Sequence, residues 1–130
     1  INAIHDSDLV VLAPGNPLTS IGPMLQIKGI RKELSKMKKK VVAVSPFIGD
    51  NAISGPAAKY MQAAGIESNA YGLAKMYSDV CSKVIVDTKD KALVSKIQDL
   101  DMKAYETKIT MKTKLAEEAL ANFILKQVHV

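Results

Sequence analysis

The residues best suited to chemistry lie in the stretch APGNPLTSIGP, residues 13–23 of a sequence of 130 residues. Asn16, which a proline follows, is typical of a helix start, because asparagine caps helix N-termini and proline is favoured at the first helical position. Gly15 permits an unusual backbone conformation and the close approach of a ligand. Free backbone N–H groups at such an end, beside the hydroxyls of Thr19 and Ser20, predict an anion site that suits a phosphate.

A second loop of the same type follows the apolar run VVAVS (41–45) and has the sequence PFIGDNAISGPAAK (46–59). Its Ser-Gly-Pro triplet at 54–56 predicts a capped helix start, and Lys59 lies one turn further, within reach of a phosphate. A third loop, DTKD (87–90), offers an acidic residue and a capping threonine but no glycine. None of these loops matches the standard nucleotide-binding fingerprints, so the pattern predicts an anion site without naming the anion.

The elements that must position these loops alternate along the chain. Short, nearly continuous apolar runs predict strands buried on both faces of a parallel sheet; they lie at 8–13, 41–45, 83–87 and, more weakly, 102–106. Helical patterns occur at 25–37, 57–65, 71–80, 91–100 and 113–128. This alternation predicts an open, mostly parallel α/β sheet with helices on both faces. In such sheets ligands bind at the carboxyl ends of the strands.

The helical patterns also predict which side chains face the core. Gly65 is expected to end the helix 57–65, and the Gly-Pro pair at 22–23 to end the first short helix after about two turns. The expected core stripes consist of Ala57, Met61 and Ala64; Leu73, Met76, Tyr77 and Val80; Ala92, Leu93, Ile97 and Leu100; and Leu115, Ala119, Leu120, Phe123 and Ile124.

Composition narrows the class of protein. Apolar residues make up 48% and charged residues 24%, as in soluble globular domains of one core. No apolar run approaches the ~20 residues of a membrane helix, so no membrane partner is expected. The single cysteine, Cys81, is expected to be a small buried side chain in a protein of the reducing cytoplasm. His5 and His129 stand far apart in sequence, which makes a zinc site improbable.

The net charge of +5 owes much to the run KMKKK, residues 36–40. A basic run invites a nucleic-acid hypothesis, but no aromatic residue is interleaved for base stacking. Lysines at the end of a helix are favoured by its dipole. The pattern therefore favours a solvated helix end, with no nucleic-acid partner.

Three strings then resemble one known family closely: PGNPLTSIGPML (14–25), AVSPFIG (43–49) and GPAAKYM (55–61). They are similar to the 2-phospho-L-lactate transferases of coenzyme F420 biosynthesis, and the similarity continues through 65–80 and 84–90. The resemblance implies a Rossmann-like fold. It also implies transfer of a 2-phospho-L-lactyl or phosphoenolpyruvyl group from a guanosine-diphosphate-linked donor to the deazaflavin Fo, with release of GMP and assistance from Mg²⁺.

The resemblance assigns site residues only where the motifs match. The resemblance implies that the first loop supplies the nucleotide and phosphate contacts, at Pro14, Gly15, Asn16, Thr19 and Ser20. The second loop matches at Ser45, Gly49, Gly55 and Lys59, although Asp50 and Asn51 stand where relatives often carry a second glycine.

Residues 1–130 are therefore expected to form a single α/β unit, the C-terminal part of such a transferase. Ile1 opens in what looks like the middle of an element, and the first methionine is Met24. The catalytic groups and the Mg²⁺ and Fo ligands are expected in an N-terminal half that the sequence lacks, so this chain is assigned none. Asp50 and Asp87 are at most supporting groups.

Two alternatives stay open. A related group of regulatory proteins binds nucleotide sugars without turnover, but its loop has PGSLYTS where this chain has PGNPLTS, which favours the transferase. The chain is also compatible with a folded module that retains no activity. The expected partners are the donor and Fo, and the apolar last helix would suit a homodimer.

Overall fold

The computed structural model describes residues 1–128, and its central feature is a sheet of four parallel strands. The strands of the chain are β1 (Val10–Leu12), β2 (Val41–Val44), β3 (Phe47–Ile48), β4 (Asn51–Ala52), β5 (Lys83–Asp87) and β6 (Lys103–Thr107). The parallel sheet has the order β1-β2-β5-β6, and β3 and β4 form a separate antiparallel hairpin. All four predicted strands and their parallel arrangement are confirmed, whereas the hairpin was not expected.

Short helices connect the strands. They are α1 (Asn2–His5), α2 (Gly22–Gln26), α3 (Ile30–Lys36), α4 (Ala57–Ala63), α5 (Ala70–Tyr77), α6 (Val94–Gln98) and α7 (Lys114–Phe123). Wider π-helical turns occur at Pro17–Ile21 and Ile124–Val128, and tighter 3₁₀ turns at Lys38–Lys40 and Thr88–Leu93. None of the described helices is both long and apolar enough to cross a bilayer.

The sheet separates two hydrophobic cores, because alternate residues of a strand point to opposite faces. On one face Val41 and Ala43 of β2 pack with side chains from α2 to α6, among them Met61 and Ile97. On the other face Val42 and Val44 pack with the single helix α7 and the turn after it. The prediction of helices on both faces is therefore confirmed. Right-handed crossovers place all the connecting helices on the first face, because the strand order runs in one direction.

Burial on both faces holds for β2 and β5 but not for the outer strands. Val11 of β1 is 42% exposed, and β6 is only partly buried. The physical reason is position, since β1 and β6 form the edges of the described sheet and the second core centres on β2 and β5.

The predicted boundary at Gly22-Pro23 is wrong, because these residues begin α2 instead of ending a helix. The backbone N–H groups of Ile21 and Gly22 bond to carbonyls five residues earlier, those of Asn16 and Pro17. This wide turn leads directly into Pro23, which has no N–H to donate and fits the first positions of a helix.

Other helical predictions need smaller corrections. The pattern at 25–37 is split between α2 and α3 by Gly29, whose φ of 93° is left-handed. The 91–100 pattern begins as a 3₁₀ turn, and only Ile97 of its stripe is fully buried, with Ala92 exposed. In the last helix Leu120 and Ile124 are buried as predicted, but Leu115 is 78% exposed. Ala119 is exposed as well, because α7 meets the sheet along a narrow line.

The end of α4 is confirmed. Gly65 has a φ of 73°, and the N–H groups of Gly65 and Ile66 bond to the carbonyls of Gln62 and Met61, as in a Schellman motif. Ala57 and Met61 are buried, whereas Ala64 lies beyond the helix end and is exposed.

Gly22→Ala is expected to lower the free energy of unfolding. A Cβ at this position would lie 2.5 Å from the Pro17 carbonyl oxygen, so the backbone of the π-helical turn must shift. Overpacking of this kind costs about 1–3 kcal/mol, of which alanine's better helix propensity restores at most about 1 kcal/mol. Urea denaturation measures the difference.

The matched control is Gly15→Ala in the same loop. A Cβ there would meet Ser20 Cβ at 3.4 Å, an ordinary contact, so we expect a change below about 0.5 kcal/mol. Equal unfolding free energies for both variants would contradict the close approach at Gly22.

Candidate functional site

The loops that follow β1, β2, β5 and β6 all lie at one edge of the sheet, because the strands are parallel. A cleft of about 290 Å³ opens between three of them. It is lined by Pro14 from the first loop; by Pro46, Ile53 and Ser54 from the second; and by Ile109, Thr110, Met111 and Lys112, which follow β6. The two loops singled out in the sequence therefore meet.

The segment 109–112 was missed by sequence reasoning. Its residues form no recognisable motif, and the only available signal was their position directly after a predicted strand. Five of the eight residues lining the cleft are apolar, Ser54 and Thr110 add hydroxyls, and Lys112 supplies the only charge among them. Such a lining suits a largely apolar group that carries a negative substituent.

The first loop is capped as predicted. Asn16 Oδ1 accepts from the N–H groups of Leu18 at 3.0 Å and Thr19 at 3.3 Å, and Pro17 takes the first position of the turn. This geometry corrects one expectation, because these two N–H groups are occupied by the cap and are not free. The Gly15 N–H is also used, by the Ala13 carbonyl at 2.7 Å.

Gly15 does not use the left-handed backbone that only glycine adopts readily, since the positive φ values of the described glycines lie elsewhere. The groups that this loop still offers are the side chains of Thr19 and Ser20, both exposed. An anion at this loop would therefore contact hydroxyls and the Asn16 side chain before it contacts backbone N–H groups.

The predicted residues of the second loop lie elsewhere than at the cleft. Ser45 is fully buried, and its hydroxyl accepts from the Phe47 N–H at 3.1 Å, so it shapes the entry into the hairpin β3–β4. Gly49 has a φ of 61° at the first position of the hairpin turn, where glycine is preferred. Ser54, three residues before α4, brings a hydroxyl to the cleft instead.

The start of α4 also differs from the prediction. Gly55 is left-handed, with a φ of 70°, and Pro56 occupies the cap position without any side-chain cap. Lys59 is exposed on α4 and does not belong to the cleft lining. Of the four predicted residues of this loop, Ser45 and Gly49 organise the backbone, and none lines the cleft.

Asp87 fastens the edge of the sheet. Its Oδ1 accepts from the Lys89 N–H at 3.0 Å, which makes Asp87 the cap of the following turn in place of the predicted Thr88. Its Oδ2 accepts from the Ile109 N–H at 3.3 Å. One carboxylate thus holds the segment 109–112 against the end of β5.

Asp90 plays a parallel part for the second loop. Its Oδ1 accepts from the Gly49 N–H at 2.8 Å, whereas its Oδ2 is buried without a hydrogen-bond partner among the described residues. Burial raises the pKa of Asp90, and the negative charges of Asp87 and Asp50 raise it further, against the opposing effect of the Gly49 hydrogen bond.

Within residues 1–128, no three histidine, cysteine, aspartate or glutamate side chains form a possible metal site. His129 lies outside the described residues. Cys81 is buried as predicted, and burial raises the pKa of its thiol to about 12, so the thiolate is scarce at neutral pH.

The sequence comparisons point to one family. The family model described as "2-phospho-L-lactate transferase CofD" matches residues 1–128. A 2-phospho-L-lactate transferase of Methanocaldococcus jannaschii is 46% identical over 97 residues, which cover 75% of this chain and 30% of that protein. That of Methanothermobacter thermautotrophicus is 36% identical over 128 residues, which cover 98% of this chain and 41% of that protein.

A similar coverage is found for the 2-phospho-L-lactate transferase of Methanosarcina acetivorans, which is 36% identical over 96% of this chain and 40% of its own length. The chain therefore spans well under half the length of these curated relatives.

Asp90→Asn is expected to keep or raise stability near neutral pH. The amide retains an acceptor for Gly49 and removes a buried charge. Because the folded-state pKa of Asp90 is raised, the wild-type protein gains stability as pH falls and Asp90 becomes protonated. The advantage of Asp90→Asn should therefore shrink in acid, which denaturation at about pH 7 and about pH 4 measures.

Asp90→Ala is the informative contrast, because it leaves the Gly49 N–H without its acceptor. Loss of such a partner costs about 1–3 kcal/mol. If Asp90→Asn were as destabilising as Asp90→Ala at neutral pH, the assigned role of the buried charge would be wrong.

Proposed function

The chain belongs to the 2-phospho-L-lactate transferase CofD family, and from that premise we propose that it forms the donor-binding side of a transferase of coenzyme F420 biosynthesis. The reaction is the transfer of a 2-phospho-L-lactyl or phosphoenolpyruvyl group from a guanosine-diphosphate-linked donor to the hydroxyl of Fo, with release of GMP. Since the chain spans well under half of its relatives, this activity is proposed for the intact protein that contains it.

One observation carries the proposal: the family model matches all the described residues, and within them the two motif loops meet at one cleft. The Asn16-Pro17 cap forms in the first loop, within the string PGNPLTS that resembles the transferase motif. Both the match and this cap favour the transferase over a nucleotide-sugar-binding regulator.

In the proposed arrangement the donor phosphates lie against the first loop. The Thr19 and Ser20 hydroxyls donate to phosphate oxygens, and the Asn16 amide group adds a further donor. A largely apolar part of the substrate enters the cleft. Lys112, which lines the cleft, interacts there with a negatively charged substituent of that part. Positioning of this kind is the main contribution that a protein makes to phosphoryl transfer.

The family resemblance also implies acid–base groups and magnesium. Among the described residues no three histidine, cysteine, aspartate or glutamate side chains cluster as metal ligands. We propose that these groups come from the part of the relatives' length that this chain does not span.

Asn16→Asp in the intact protein is expected to weaken GDP binding by at least about tenfold. Aspartate caps a helix as well as asparagine does, so folding should be kept. Its charge repels the diphosphate, and two like charges about 4 Å apart near a surface repel by several kcal/mol. Calorimetric titration with GDP measures the loss.

Asn2→Asp is the matched control, since it makes the same change of charge on α1, away from the cleft. Unchanged GDP affinity in Asn16→Asp, with thermal unfolding also unchanged, would contradict phosphate binding at the first loop. A loss of equal size in Asn2→Asp would contradict it as well, because it would show a general charge effect.

The 130-residue chain alone is expected to release no GMP from donor and Fo. The reason is that the proposal assigns the acid–base groups and the magnesium ligands to the part of the relatives' length that this chain does not span. Chromatographic detection of GMP over time, with the intact protein as positive control, checks this. Turnover by the isolated chain would place the catalytic groups within these 130 residues.

A further inference from the structure

A second cleft, of about 540 Å³, lies at the edge of the sheet opposite to the motif loops. The segments that lead into β2, β5 and β6 form its walls, and each brings lysine: Lys38 and Lys39, Lys83, and Lys103. Among the described residues that line it, Asp101 alone is acidic. The cleft is therefore strongly electropositive, and neither the family motifs nor the proposed transfer uses it.

The walls of this cleft are fixed by hydrogen bonds between segments. The N–H and the hydroxyl of Ser82 both donate to the Lys38 carbonyl, at 3.1 and 3.0 Å. The Lys103 N–H in turn donates to the Ser82 carbonyl at 2.8 Å. The lysines thus project from a built framework and not from a loose loop.

Two of these lysines repel each other by construction. Lys83 and Lys103 are register partners on the parallel strands β5 and β6, so their side chains leave the same face of the sheet. The pKa of Lys83 is lowered, first by burial and then by the charge of Lys103. An arrangement that places like charges opposite each other is relieved by an anion.

The hydrogen bonds that these lysines make do not neutralise the positive charge of the cleft. Lys83 Nζ donates to the Val128 carbonyl at 2.9 Å, and Lys38 Nζ donates to the Ser78 carbonyl at 3.3 Å, beyond the end of α5. Both acceptors are neutral. The predicted solvated helix end is thus only partly correct, because Lys38–Lys40 form a separate 3₁₀ turn and Lys38 caps a different helix.

We propose that this basic cleft, formed by Lys38, Lys39, Lys83 and Lys103, binds a small polyanion that carries two or more linked phosphate groups. The combined positive charge of four lysines that line one cleft suits several linked phosphate groups better than a single carboxylate or sulfate. The cleft lining contains no aromatic or arginine side chain for base recognition, which argues for the phosphate chain itself as the recognised element. The shared chemistry is the polyphosphate chain, free or attached to a nucleoside.

The test is calorimetric titration of the intact protein with inorganic tripolyphosphate. Lys39→Gln/Lys103→Gln is the probing variant, because both side chains are exposed and their loss leaves the framework bonds intact. We expect saturable binding to the wild type and a loss of at least about tenfold in the variant, since two ammonium–phosphate pairs disappear. GDP affinity at the first loop should not change.

Lys28→Gln/Lys32→Gln is the matched control, with the same change of net charge on exposed lysines outside the cleft. It should keep its affinity for tripolyphosphate within about twofold. At physiological ionic strength, salt screens exposed charges that lie far from the ligand, so local contacts matter more than net charge.

Asp101→Asn should do the opposite of the lysine variant and tighten binding. It removes the one acidic group of the lining while asparagine tolerates the left-handed backbone at this position, where φ is 59°.

No saturable binding of tripolyphosphate to the wild type, or an equal loss of affinity in both lysine double variants, would overturn the proposal. With the first loop saturated by GDP, titrations with tripolyphosphate and with a nucleoside triphosphate show which form the basic cleft prefers, and failure of both to bind would overturn the proposal.

Discussion

Parallel pairing of β2 with β5 is the interaction on which the rest of the structure depends. Val42, Ala43 and Val44 pair with Lys83, Val84 and Ile85, and the apolar residues of this pair are buried on both faces. A shift of this register by one residue would turn each side chain of the strand to the opposite face of the sheet. Burial on both faces therefore fixes the register strongly. With β1 and β6 added in parallel at its two sides, all four strands end at the same edge, where the motif loops meet.

Two buried aspartates convert this common edge into a defined site. Asp87 joins the end of β5 to the segment after β6, and Asp90 joins the turn after β5 to the hairpin after β2. Each carboxylate accepts a hydrogen bond from a backbone N–H group of the segment that it holds. Two carboxylates therefore hold the segments around the cleft in place. Of the residues predicted to bind phosphate, Gly49 alone makes such a contact, through its N–H bond to Asp90.

The sequence allowed the strands, the parallel sheet, the Asn16 cap and the left-handed Gly65 to be predicted, because each depends on local propensity or on a strong apolar pattern. What it did not reveal depends on contacts distant in sequence. Ser45 was expected to offer a ligand hydroxyl, but this hydroxyl bonds to the hairpin backbone. Residues 109–112 reach the cleft because Ile109 bonds to Asp87 and packs in the second core. The π-helical turn before Pro23 was also not predicted. Helical periodicity does not distinguish a hydrogen bond to the carbonyl five residues earlier from one to the carbonyl four residues earlier.

The chain belongs to the 2-phospho-L-lactate transferase CofD family, and the Asn16 cap occupies two backbone N–H groups of its first loop. We therefore propose that a phosphate bound there contacts side chains more than free backbone N–H groups. The measurement that tests this most directly is a crystal structure of the intact protein with GDP bound. We expect phosphate oxygens within hydrogen-bond distance of the Thr19 and Ser20 hydroxyls, with the Asn16 cap retained. A GDP molecule whose phosphates lie away from residues 14–20, with those residues unmoved, would contradict it.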